Sequence, residues 1–316
     1  MYRIGIDLGG TNIAVGIVND EHKIMIKKTA PTLAKRAPEE IVADMARLCT
    51  EVCNELGIGL DDIGNVGIAS PGIANAADGC VEYANNLPFL RFPIVRLLAD
   101  FLKVDKEIIK IANDANAAAW GEAVAGAAKG TANSIMVTLG TGVGGGIIID
   151  NKILTGFNSA GGEIGHIVIE QDGALCGCGR RGCWEAYSSA TALIRMTKEA
   201  IEECKKTGRY TSMSQADRIS GRTACDAMRA GDEVAAEVYG KYIKYLATGI
   251  TNLINIFQPE VISLGGGVSN EGQSLIDALL PLVRSEQYGG DVVALTEIRI
   301  ATLGNDAGII GAAALN

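Results

Sequence analysis

The chain has 316 residues, 48% of them hydrophobic and 21% charged, a globular balance that excludes wholesale disorder and matches about two domains at ~100–200 residues each. Its formal charge of −9 argues against a surface for a nucleic-acid polymer, though not against one small polyanion held by backbone amides and a metal ion. The 40 glycines exceed the usual ~7% and follow no collagen-like period, so they belong to turns and close backbone approaches. No apolar run approaches the ~18 residues of a membrane span, and Asp7 interrupts the stretch a signal peptide needs, so a cytoplasmic protein without a membrane partner is expected.

In chain order, residues 2–8 alternate as a strand, Gly9-Gly10-Thr11-Asn12 turns, and Ile13–Val18 reads as a second strand. A helix is predicted from Pro38 to Leu56, with Pro38 in its first turn, Gly57 as its cap, and Cys49 and Cys53 on its apolar face as small core hydrophobes. Short strands follow at Asn65–Ile68 and Ile108–Ala112, then an alanine-rich helix from Asp114 to Ala128. The opening pattern then recurs. Ser134–Leu139 is a strand, residues 140–146 a glycine turn, and Ile147–Asp150 a strand, which suggests an internal duplication. A cysteine-rich loop leads to a helix from Ser189 and to a polar surface excursion over 207–222. The second half closes with a long helix (232–256, ended by Pro259), a strand (Val261–Leu264) opening onto Gly265-Gly266-Gly267, a helix over 272–284 and a small-residue helix over 306–315.

Gly140-x-Gly142-x-x-Gly145 matches the dinucleotide fingerprint only formally, because a strand rather than a helix follows; neither glycine turn continues as a Walker loop. Two glycine hairpins whose amides close on phosphate oxygens is the better reading. Thr11, Asn12 and Thr141 add side-chain donors, against the plain alternative of tight turns. Asp7, ending the first strand, suits hydrated Mg²⁺, which takes few protein ligands; the alternative is a turn-forming Asp. Asp114 is either the cap of the alanine-rich helix or a general base for a substrate hydroxyl, and Asn113 beside it can pair with neighbouring hydroxyls.

His166 with Cys176, Cys178 and Cys183 offers one imidazole and three thiolates, the complement of a closed structural zinc site. The other histidine, His22, lies between Glu21 and Lys23 in a turn. Glu163, three residues before His166, and Glu185, two after Cys183, are tethered by the same metal, so the zinc shapes a substrate pocket and does no chemistry. A zinc ribbon reading nucleic acid is disfavoured by the acidic chain.

Ile6-Asp7-Leu8-Gly9-Gly10-Thr11, Asn113-Asp114-Ala115-Asn116, Leu139-Gly140-Thr141-Gly142, Gly162-Glu163-Ile164-Gly165-His166 and Cys176-x-Cys178-Gly-x-x-Gly-Cys183-x-Glu185 together resemble the ROK family of sugar kinases and regulators, in the family's order and over nearly the whole chain. The resemblance implies an α/β fold of the actin-like (ribonuclease H-like) duplicated ATPase type, with two lobes around a central cleft: residues 1–112 plus 304–316 as the small lobe, and 113–303 as the large lobe with the zinc-binding loop. It implies an ATP-dependent hexose 6-phosphotransferase, with glucose as the expected hexose and N-acetylmannosamine, mannose, fructose or allose as alternatives. Asp114 would be the catalytic base. Asn86, Asn113, Glu163, His166 and Glu185 would bind sugar hydroxyls, His166 using one ring nitrogen for zinc and the other for sugar. Asp7, Gly9, Gly10, Thr11, Asn12, Thr141, Gly142, Gly266 and Gly267 would hold Mg²⁺, ATP phosphates and nucleotide. A homodimer is implied as well. Asn12 stands where many members carry Lys or Arg, and Phe89-Leu90 follows Asn86-Leu87-Pro88 where kinases of the family commonly have Gly-Trp. Two rivals remain at this point, a sugar-sensing regulator without catalysis and an actin-like ATPase. Asp114 speaks against the first, and Glu163, His166 and Glu185 against the second.

Overall fold

A computed structural model describes residues 1–316 apart from the side chain of Asp291. β1 (Tyr2–Leu8) and β2 (Asn12–Val18) form the predicted hairpin, with Asp7 opposite Ala14 and Leu8 opposite Ile13. β3 (Ile24–Pro31) extends it. It is unforeseen from sequence because its inner face alternates only weakly, with Lys28 among Ile24, Ile26 and Ala30. α1 (Pro38–Leu56) has the predicted bounds: Pro38 opens it and Gly57 closes it at φ 74, in the left-handed region. Cys49 and Cys53 lie in its buried face beside Ile41, Val42 and Met45, as expected.

β4 (Ile63–Ser70) runs parallel to β1. Three short strands, β5 (Ile73–Asn75), β6 (Cys80–Tyr83) and β7 (Leu90–Phe92), form a separate antiparallel sheet, followed by α2 (Ile94–Leu102). None of these was legible: three- and four-residue strands carry almost no periodicity. β8 (Ile109–Asn113) completes the first five-stranded sheet, of order β3-β2-β1-β4-β8, and runs straight into α3 (Asp114–Ala125), which stops at Gly126, earlier than the predicted Ala128. β9 (Ser134–Leu139) and β10 (Val143–Ile149) repeat the opening hairpin, and β11 (Lys152–Ile153) pairs with β10.

α4 (Glu185–Ser188) precedes α5 (Ala190–Thr207), which Ser189 caps by accepting from the Ala192 N–H. α6 (Thr223–Arg229) leads to α7 (Glu233–Phe257), capped by Asp232 and closed by Gln258 in the left-handed region just before Pro259. β12 (Val261–Gly265), α8 (Gln273–Glu286), the unforeseen β13 (Glu297–Ile300) and α9 (Ala307–Ala313) finish the chain. The second sheet has the order β11-β10-β9-β12-β13. No helix among the described residues is long and apolar enough to cross a membrane.

The chain forms two compact units, one of residues 1–136, 146–162 and 302–316, the other of 137–145 and 163–301. In the first, glycine removes the side-chain layer between elements. A Cβ on Gly67 of β4 would sit 1.7 Å from the Ala312 carbonyl oxygen of α9, and one on Gly311 of α9 would sit 1.7 Å from that of Ala117 in α3. α9 therefore lies backbone to backbone between sheet and α3. α3 thereby belongs to the same unit as the sheet it covers. In the second unit, the fully buried Trp184 presses on Gly249 of α7 and donates its Nε1–H to the Tyr245 carbonyl at 3.1 Å, which anchors the segment entering Glu185.

Candidate active site

In the first unit, the C-terminal ends of three parallel strands set Asp7, Ala69 and Ala112 side by side, with Asn113 and Asp114 next in line. Ligands of open α/β sheets bind at such strand ends. The Asp7 carboxyl packs over Gly308, where a Cβ would approach it to 2.8 Å. Burial, and second the neighbouring charge of Asp114, push its pKa up to about 6. The carboxylates of β1 and of the first turn of α3 are thus close enough to feel each other.

The cap question is decided by hydrogen bonds. Asn113 Oδ1 accepts from the N–H groups of Ala115 (2.9 Å) and Asn116 (3.2 Å), while its Nδ2 donates to the Gly72 carbonyl at 3.0 Å. Asn113 is the cap of α3, a role the sequence reading weighed only for Asp114. Asp114 is instead the first helical residue, its Oδ1 accepting from the Ala115 N–H at 2.8 Å. Asn113 keeps a second amide N–H beyond the one spent on Gly72.

Gly9 N–H closes the first hairpin on the Asn12 carbonyl at 2.9 Å, leaving Gly10, Thr11 and Asn12 exposed at the tip. Asn86 is brought there too: its Cβ lies 3.6 Å from where a Gly10 side chain would begin. The sequence reading missed Thr32. It is fully buried, its hydroxyl donates to the Gly9 carbonyl (2.6 Å) and its N–H to that of Thr11 (2.8 Å). A threonine after Pro31 carries no motif, so only the fold reveals it as the anchor of the hairpin tip.

In the second unit, Gly140 N–H donates to the Gly142 carbonyl at 3.0 Å, closing the second hairpin with Thr141 exposed. Glu163 precedes a single 3₁₀ turn, Ile164–His166, whose His166 N–H donates to the Glu163 carbonyl at 3.0 Å; the two side chains the sequence paired thus share one turn. A Cβ on Gly165 would lie 2.0 Å from the Val143 carbonyl oxygen, so this turn rests directly on the hairpin. Glu185 makes the same connection from the other side. Its Oε2 accepts from the Val143 N–H at 3.1 Å, and its Oε1 lies 3.4 Å from Cys176 Sγ. Sequence reading tethered Glu185 through the cysteines alone and gave no sign of this bond to the hairpin. Gly266 follows β12 at φ 85 with Leu139 backbone against its Cα, and Gly266 and Gly267 are exposed where a 3₁₀ turn, not yet α8, begins.

His166, Cys176, Cys178 and Cys183 bring four ligand atoms within 4.8 Å of one another. Cys178 Sγ lies 3.7 Å from Cys183 Sγ, and Cys176 Sγ lies 3.7 Å from His166 Nδ1. Zn–S bonds of ~2.3 Å in a tetrahedron put sulfurs about 3.8 Å apart, so the donor set fits zinc in chemistry and spacing. Nδ1 faces the thiols, which leaves Nε2 for another partner. The loop has no long strand or helix but is also tied by its own hydrogen bonds: the Ile169 N–H donates to the Gly182 carbonyl (2.9 Å), the Cys176 N–H to the Arg180 carbonyl (2.8 Å), the Trp184 N–H to the Ile167 carbonyl (2.8 Å), Arg180 to the His166 carbonyl (3.1 Å) and the Ala174 N–H to the Tyr187 hydroxyl (2.6 Å).

These motifs, in this order and on this fold, match the ROK family profile over residues 3–316. The chain belongs to the ROK family. It is 36% identical over 318 residues to a glucokinase of Streptomyces coelicolor, covering 99% of this chain and 96% of that protein. Against a glucokinase of Thermotoga maritima it is 34% identical over 312 residues, with the same coverage. Among solved structures, a ROK family glucokinase from Streptomyces griseus in complex with glucose and AMPPNP aligns with a TM-score of 0.77 at 34% identity, covering 99% of this chain and 98% of that one. The ROK chain described here therefore has the mixed α/β, actin-like ATPase fold of its relatives.

Proposed function

We propose that this ROK protein is an ATP:hexose 6-phosphotransferase acting on glucose. The observation that carries the reading is the proximity of the Asp7 and Asp114 carboxyls at the end of the sheet, with Asn113 capping α3 beside them. Glucokinase relatives at 34–36% identity over nearly the full length, and the structure of one with glucose and an ATP analogue, support the substrate pair.

In this reading, Asp114 takes the proton of the sugar 6-hydroxyl as that oxygen attacks the γ-phosphorus of ATP. The bond to the bridging oxygen breaks and ADP leaves. Asn86, Asn113, Glu163, Glu185 and His166 Nε2 pair with the remaining hydroxyls and hold the reacting one in line. The exposed tips at Gly9, Gly10, Thr11, Asn12, Thr141 and Gly142, with Gly266 and Gly267, take the phosphates and nucleotide. Asp7 is the residue that would hold Mg²⁺, which when bound neutralises charge on the phosphates. The cysteine cluster with His166 would hold a structural zinc that fixes the sugar-binding turn.

A coupled assay for ADP release over glucose, mannose, fructose, allose and N-acetylmannosamine tests the reading. Glucose is expected to give the highest kcat/KM. Absence of ADP release with every sugar would overturn it, and a different preferred sugar would overturn the glucose assignment alone.

A further inference from the structure

A cavity of about 510 Å³ lies within the first unit, in the ~300–1,000 Å³ range of small-molecule sites. Two sheet edges line it. β8, the last strand of its sheet, contributes Lys110 to Asn113, and the turn and edge strand at β11 contribute Asn151, Lys152 and Thr155. Trp120 of α3 forms an aromatic wall, its ring fixed by an Nε1–H bond to the Ala314 carbonyl at 3.0 Å. Among the described residues, neither Lys110 nor Lys152 has a carboxylate partner, although the chain carries nine more acids than bases. The lining also holds Asn316 with the chain-terminal carboxylate, so its two ammonium groups outnumber its one carboxylate beside a tryptophan, the components of a site for an amphipathic anion.

We propose that this cavity binds a hexose phosphate. The indole face suits the apolar C–H face of a pyranose. The carboxamide of Asn151 and the hydroxyl of Thr155 are the neutral donors and acceptors that sugar hydroxyls need. Lys110 and Lys152 supply the point charges that take a phosphate. The choice of hexose phosphate over another anion rests on the function proposed above, whose product has that chemistry. Asn113 gives the cavity its connection to catalysis: it lines the wall here, and it also caps the helix that begins at Asp114.

The test is an equilibrium titration of glucose 6-phosphate followed by tryptophan fluorescence, which needs no turnover. The chain has two tryptophans, and Trp184 is fully buried in the other unit, so Trp120 is the reporter, with Trp120→Phe as the control for its signal. A saturable change is expected in the wild type. In Lys110→Gln/Lys152→Gln its midpoint should rise at least tenfold while glucose-dependent ATP turnover stays within twofold. Glucose or inorganic phosphate alone should give no saturation at those concentrations. No saturable change, an unshifted midpoint in the double variant, or equal binding of inorganic phosphate or AMP would each overturn the proposal. Should the double variant melt early, Lys152→Gln alone, on an exposed side chain, serves with an expected shift of at least threefold. Binding without any hexose phosphorylation would sink the kinase reading and leave the cavity assignment standing. Phosphorylation without binding would do the reverse.

Discussion

The two units build their functional clusters by opposite means. In the first, Asp7, Asn113 and Asp114 stand on the ends of parallel strands and the first turn of α3, and every one of them is oriented by backbone hydrogen bonding or by glycine-mediated contact. In the second, Glu163, His166 and Glu185 flank a loop with one 3₁₀ turn and two isolated bridges, in which three cysteines and His166 converge. Regular structure positions the proposed base; an irregular loop, with the cysteine cluster at its centre, positions the proposed sugar ligands. The lesson is that one chain can place chemistry-bearing side chains by regular structure in one unit and by a short irregular loop in the other.

The largest separation between the halves is expected from Asp114→Ala. Losing a general base should lower kcat by ~10²–10⁴ while zinc content, measured by atomic emission, stays at one per chain. Cys178→Ser, or removal of zinc by a strong chelator, should do the converse. KM for the sugar should rise by ~10–100-fold, and proteolysis should open the 167–184 loop while the first unit resists. An unchanged KM after verified metal loss would remove zinc from the account.

A smaller effect probes the joint between the hairpin and the cysteine loop. A methyl group at residue 142 would lie 2.2 Å from Glu185 Oε2. Gly142→Ala should therefore push Glu185 off the Val143 amide and raise sugar KM several-fold; an unaltered KM would show that this carboxylate does not set affinity.

Asp7 carries a cost the second unit lacks. Its folded-state pKa of about 6 exceeds the ordinary 3.8, chiefly through burial, so the folded protein holds that proton more tightly than the unfolded chain does. Stability is then lost as pH rises from about 4 to about 6 and stays lost above that. In chelator-treated protein at pH 8, Asp7→Asn is expected to raise stability by on the order of 2–3 kcal/mol, seen as a Tm higher by several degrees. An unchanged or lower Tm would contradict the assigned burial.

The smallest effect lies outside both clusters. Burial alone would raise the pKa of Asp232, but bonds from the Ala235 and Ser212 N–H groups and the Ser212 and Thr211 hydroxyls outweigh it and hold it at about 2. Its contribution is present above about pH 4 and is lost between pH 4 and 2. Asp232→Ala should cost ~1–2 kcal/mol at pH 7, as loss of a helix cap does, and less at pH 2. The two melting curves converging on acidification would bear this out.

What could be read beforehand followed the length and chemistry of each signal. α1 and α7 were legible to within a residue or two because each has a cap, a stop and a long apolar stripe. The cysteine cluster was legible because thiols at that spacing have few other uses. β5 to β7 were not, because strands of three or four residues carry almost no periodicity, and β13 was not, because its partner β12 lies more than thirty residues earlier. At the site, residue types were legible but their hydrogen bonds were not. Thr32 as the hairpin anchor and Glu185 on the Val143 amide depend on chain crossings that no local pattern encodes, while Asn113 as the cap is local and turns on the one-residue offset at which β8 hands over to α3.

The central claim is that Asp114 removes the proton from the sugar hydroxyl that receives the phosphoryl group. It is tested most directly by rapid-mixing measurement of a single turnover, with Asp114→Asn and the wild type each preloaded with glucose and mixed with ATP. The expected result is a glucose Kd within a few-fold of wild type and a phosphoryl-transfer rate at least a hundredfold lower. Transfer at close to the wild-type rate from a fully loaded variant would contradict it.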